Sequence, residues 1–61
     1  SMMTIEELRK LSDADLMLEL KRAHIEYIKL RLEVKTRQSK DSAKLKRLRK
    51  YQARIKTIKR P

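Results

Sequence analysis

Seven cations dominate the residues that could do chemistry in this chain: Lys46, Arg47, Arg49, Lys50, Arg54, Lys56 and Arg60. Turned at roughly 100° per residue, they gather on one face of a helix. Lys and Arg on such a face neutralise phosphates and release counterions, which gives affinity for a polyanion without reading its sequence. Arg49 and Arg54 are the strongest phosphate ligands of the set, because a guanidinium binds phosphate through two parallel hydrogen bonds. Ala53 falls near the middle of the cationic arc. A small residue there would let the helix backbone approach RNA closely; equally, Ala is the best helix former.

Other chemistry finds little support. Asp13 and Asp15 could act as a carboxylate pair, but helix capping accounts for them, and no nucleophile or Gly-rich phosphate loop accompanies them. His24 is the single histidine and there is no cysteine, so a zinc site of the usual His/Cys kind is not expected. Tyr27 and Tyr51 could stack on bases, yet both lie on apolar stripes and read as packing residues with the hydroxyl at the surface. Met17 reads as a packing residue too. No catalytic residue, cofactor, metal or small-molecule substrate is expected.

The charge is distributed unevenly. Of the net +10, residues 1–41 contribute nine basic against eight acidic side chains, and residues 42–61 contribute nine basic and no acid. That asymmetry points to nucleic acid or an anionic membrane. No apolar run approaches the roughly 18 residues of a membrane span, and no signal-peptide pattern is present.

The elements that must position the cations emerge from spacing. Leu45, Leu48, Tyr51, Ile55 and Ile58 recur at intervals of three and four and form an oily stripe opposite the charge, so a helix is predicted over about 43–60. Leu16, Leu20, Ala23, Tyr27, Leu30 and Val34 form a heptad seam on a second long helix, predicted over about 13–36 with Ser12 as its cap. Leu18, Ile25, Ile28 and Leu32 sit partly off that seam and broaden its apolar surface. Thr4 to Glu7 fits a capping box that starts a short helix over about 5–10, with Ile5, Leu8 and Leu11 as apolar contacts. Residues 36–42 contain no apolar side chain and read as the turn, with Asp41 or Ser42 capping the last helix. So short a connection makes the long helices antiparallel neighbours. The expected fold is all-α, a single small domain over 1–61: an antiparallel αα-hairpin with a short N-terminal helix against its open end.

This order of elements, with Ser12-Asp13-Ala14-Asp15-Leu16 opening the long helix and Lys29-Leu30-Arg31 within it, resembles the large-ribosomal-subunit protein twenty-nine family. The most specific part is Leu48-Arg49-Lys50 followed by Ala53-Arg54-Ile55-Lys56-Thr57-Ile58. The sequence departs from the family's pattern at Tyr51, where a small or polar residue is commoner, and at Gln52, where an aliphatic residue is usual. It also lacks the glycine often found in the turn. The resemblance implies a structural constituent of the large subunit, in the cytoplasm or an organelle. It implies binding to large-subunit ribosomal RNA near the outer opening of the nascent-peptide tunnel, with large-subunit protein twenty-three as neighbour. It also favours close RNA approach at Ala53. The alternative, from another class, is a basic coiled-coil or amphipathic-helix module that binds another nucleic acid or an anionic membrane surface.

Overall fold

The computed structural model describes residues 2–59, the side chain of Lys59 apart. It contains three helices, α1 (Ile5–Arg9), α2 (Asp13–Lys35) and α3 (Ser42–Lys59). The long pair pack along their lengths as an αα-hairpin, and α1 lies against α3. The result is a rod of 39 × 17 × 17 Å.

Each helix starts where its sequence offers a cap. Thr4 Oγ1 accepts from Glu7 N–H at 3.2 Å while Glu7 Oε1 accepts from Thr4 N–H at 2.8 Å, a complete capping box. The Thr4 backbone bond holds the Glu7 carboxyl below the usual carboxylate range. Ser12 Oγ accepts from Asp15 N–H at 3.2 Å and starts α2. Asp41, one of the two residues offered for the last cap, accepts from Lys44 N–H at 3.0 Å, so α3 begins at Ser42.

The turn reverses the chain without glycine. Gln38 N–H donates to Glu33 O at 2.7 Å and Arg37 N–H to Val34 O at 3.1 Å, the paired bonds of a Schellman motif. That motif needs a left-handed residue, and Arg37 takes the position with φ of 62°. The Thr36 hydroxyl adds a bond to Leu32 O at 2.9 Å.

Leu8, Leu16, Ala23, Tyr51 and Ile55 are buried together, with Met2, Met3, Leu11, Leu20 and Ile58 packed around them. Leu30 and Leu48 are buried as well. The heptad seam of α2 and the oily stripe of α3 therefore meet as their spacing requires. The side chains off that seam are a different matter. Leu18, Ile25 and Leu32 are 65%, 58% and 62% exposed, and Ile28 is also exposed. They lie on the far side of α2 from α3 and extend no core. Met17, read as a packing residue, is about half exposed.

Candidate nucleic-acid interface

α3 carries no carboxylate, and packing its apolar stripe on α2 turns the opposite face outward. Lys46, Arg47, Arg49, Lys50, Arg54 and Lys56 are all exposed, and among the described residues none of the six joins an ion pair. Arg60, the seventh cation of the predicted set, lies outside the described residues. Ala53 is exposed in their midst. It borders a shallow depression shared with Lys46, Arg49 and Lys50, and a second shared with Arg9, Lys50 and Arg54. Thr57 Oγ1 donates to Ala53 O at 3.0 Å, so the carbonyl beneath this position already has a second donor.

The cations fall into two flanks about Ala53. Arg47, Lys50 and Arg54 border the N-terminal arm at Met2 and Met3, beside Tyr51. Arg49 and Lys56 border α2, where they share a groove with His24, Tyr27, Arg31, Gln52 and Ala53. Sequence reasoning missed Arg9 and Arg31 as members of this surface. Each lies on a different helix from the cationic run, and only the packing of α1 and α2 on α3 brings them to it.

A polar network behind the first flank fixes α3 against α2. Tyr51 is buried, and its hydroxyl is not at the surface as expected: it donates to Glu19 Oε2 and accepts from Met3 N–H at 3.1 Å. The phenol reaches this position because its ring enters the seam beside the small Ala23. Arg22 grips the same carboxylate with two bonds, 2.7 Å to Oε2 and 3.0 Å to Oε1. It also reaches Glu26 at 2.9 Å, and Lys44 closes on Glu26 from α3 at 3.3 Å. The Arg22 bonds hold the Glu19 carboxyl below the usual range against the opposing effect of burial, with the Tyr51 hydroxyl helping. At Glu26 burial again opposes, and Lys44 and Arg22 together bring the carboxyl below the usual range. The Arg22 guanidinium is stabilised in its charged form, chiefly by Glu19. These carboxylates are consequently occupied by Arg22, Tyr51 and Lys44, and none of them pairs with a cation of the outward face.

On the other flank, His24 Nδ1 and Gln52 Oε1 are 3.1 Å apart, and Gln52 Nε2 donates to Leu48 O at 3.3 Å. His24 thus meets a side chain of α3. Asp13 and Asp15 sit in the first turn of α2, where negative charge is favourable. Among the described residues no three His, Cys, Asp or Glu side chains gather closely enough to hold a metal ion, and no helix is long and apolar enough to cross a membrane.

Comparison with known proteins agrees with this architecture. Searches of curated proteins and of solved structures found no match. A family model, that of the Ribosomal L29 protein, matches residues 6–61. The match takes in most of α1, the whole hairpin and every cation of the outward face, and the chain therefore belongs to the ribosomal L29 family, a family of large-subunit ribosomal proteins.

Proposed function

We propose that this chain binds large-subunit ribosomal RNA through the outward face of α3, as a structural constituent near the outer opening of the nascent-peptide tunnel. The observation that carries the reading is the group of six exposed cations around Ala53, none of them in an ion pair among the described residues, on a helix with no carboxylate. RNA phosphates are the polyanion that the family supplies. The residues assigned to it are Lys46, Arg47, Arg49, Lys50, Ala53, Arg54 and Lys56, with Arg60 continuing the series in sequence. Large-subunit protein twenty-three is the neighbour proposed for the outer stripe of α2. Leu18, Ile25 and Leu32 leave there an apolar surface of the kind that marks a protein contact. The setting is the ribosome, in the cytoplasm or an organelle.

Binding to large-subunit RNA should fall steeply with salt. Neutralising about five phosphates gives a log–log slope of roughly −3.5 to −4.5, at −0.7 to −0.9 per phosphate. Replacing Arg49 and Arg54 by Gln should reduce that slope by about one to two units. Ile25→Asp, on the far side of α2, should leave it unchanged. A slope near zero, or equal losses from the two changes, would rule out the cationic face as the site.

A further inference from the structure

α2 holds its three glutamates to one side. At roughly 100° per residue, Glu19, Glu26 and Glu33 project to one flank and His24 and Arg31 to the other. The groove between α2 and α3 on this second flank is thus lined by cations and neutral polar groups and by no carboxylate. His24, Tyr27 and Arg31 form one wall, and Arg49, Gln52 and Lys56 the other. Its volume is about 550 Å³, within the ~300–1,000 Å³ of sites that take small ligands. Arg31, Arg49 and Lys56 are exposed, and none of them forms an ion pair among the described residues.

Phosphate attraction would be satisfied by the outer face of α3 alone. This groove offers something further, a set of directional groups beside an aromatic ring. The His24–Gln52 contact occupies Nδ1 and leaves Nε2 for a ligand. The Gln52 amide is oriented from behind by the Leu48 carbonyl. Amide and imidazole edges of this kind match the donors and acceptors of a nucleobase, and because they are already held in place, less ordering is required on binding. Proteins that distinguish features within RNA do so mostly at unpaired bases, since the A-form major groove is too deep and narrow for side chains to read.

We propose that this groove receives one unpaired nucleotide of the bound RNA, its phosphate among Arg31, Arg49 and Lys56 and its base beside Tyr27 with an edge on His24 and Gln52. The assignment rests on the RNA-binding reading above and deepens it: the chain selects a looped-out nucleotide, and α2 as well as α3 contacts RNA.

The test compares the full chain's affinity, at one salt concentration, for three forms of a short RNA duplex. The first is fully paired, the second carries a single unpaired nucleotide (each of the four bases in turn), and the third carries an abasic residue at that point. At least one bulged form should bind about tenfold tighter than the paired duplex, as placing one base on an aromatic platform allows, and the abasic form should lose most of that gain. Gln52→Leu, which puts an aliphatic residue at this position, should bring the bulged and paired forms to equal affinity. Arg47→Gln, on the opposite flank, should weaken all forms alike. Equal affinity of the parent chain for the bulged and paired forms, or a preference that survives Gln52→Leu, would overturn the groove assignment and leave the phosphate-binding face standing. Absence of salt-sensitive binding to any form would overturn both.

Discussion

Replacing Tyr51 by Phe isolates a single bond in the interior of the hairpin. The ring keeps its place in the seam, so the apolar contacts with Leu16, Ala23 and Ile55 persist and no cavity larger than one oxygen opens. What goes is the hydroxyl between Glu19 Oε2 and Met3 N–H. The Glu19 side chain is only 11% exposed, so water cannot fully replace the lost donor. Arg22 still grips both of its oxygens, which avoids the larger cost of an orphaned charge. A hydrogen bond to a charged partner contributes about 1.5–3 kcal/mol. A chain of 61 residues has a total of about 3–9 kcal/mol at ~0.05–0.15 per residue, so the variant should lose about a third of its stability.

The pH dependence gives this prediction a second edge. Glu19 has a folded pKa depressed by Arg22 first and by Tyr51 as well. A depressed carboxylate contributes stability that is complete above its unfolded pKa and is lost as pH falls through the folded one. Below that point the Tyr51 bond meets a neutral carboxyl and contributes only about 0.5–1.5 kcal/mol. Tyr51 itself is raised, by burial first and by the Glu19 charge next. Its contribution is present below the unfolded tyrosine value and lost as pH rises through the folded one. The gap between parent and Tyr51→Phe should therefore be widest near neutrality and narrow towards acid and strong alkali. Urea unfolding followed by circular dichroism, at neutral pH and at successively lower pH through the fall of the folded carboxyl, measures it. Equal stability at neutral pH, or a gap that is the same in acid, would refute the role given to this bond.

Two further changes test the site and the turn. Ala53→Leu alters no charge and little helix propensity, and at an exposed position should shift stability by less than about 0.5 kcal/mol. Incorporation into large subunits, in competition with the parent chain, should nevertheless fall because the side chain holds the cationic face off the RNA. Normal incorporation would remove Ala53 from the site. Arg37→Gly should relieve the ~1–2 kcal/mol that a left-handed backbone costs a residue with a Cβ, offset in part by ~0.5–1 kcal/mol of added chain entropy in the unfolded state. A rise of roughly 0.5–1 kcal/mol in urea unfolding is expected; a loss would mean that the Arg37 side chain holds the turn.

The hairpin was legible in the sequence because its signals are local and redundant. The spacing from Leu16 to Val34 and from Leu45 to Ile58 gives each helix one inward line, and Thr4, Ser12 and Asp41 mark the starts. Periodicity does not say how many partners a helix has. Leu18, Ile25, Ile28 and Leu32 are themselves spaced by seven, three and four, a pattern as regular as a seam, yet α3 covers only one side of α2 and they face outward. The left-handed Arg37 left no trace because the turn has no glycine to mark it. The exposed cations of α3 could be read from one helical wheel. The groove could not, since half of it belongs to α2 and depends on how two helices are rolled against each other.

That roll is where the two departures from the family's pattern acquire a physical meaning. Tyr51 and Gln52 are neighbours on α3, about 100° apart around the helix, and so they leave the seam on opposite sides. Tyr51 finds Glu19 on one flank of α2, and Gln52 meets His24 on the other. Apolar ridges tolerate small rotations, because leucine and isoleucine contacts have no preferred direction. Hydrogen bonds weaken steeply once their angles fail, so one on each flank resists rotation in both senses. A roll of about 50°, half of one residue's turn, would carry either Arg49 or Arg54 towards the seam. The pair of polar contacts therefore does for the cationic face what the leucines cannot: it sets which charges stand outermost, and keeps Ala53 between them.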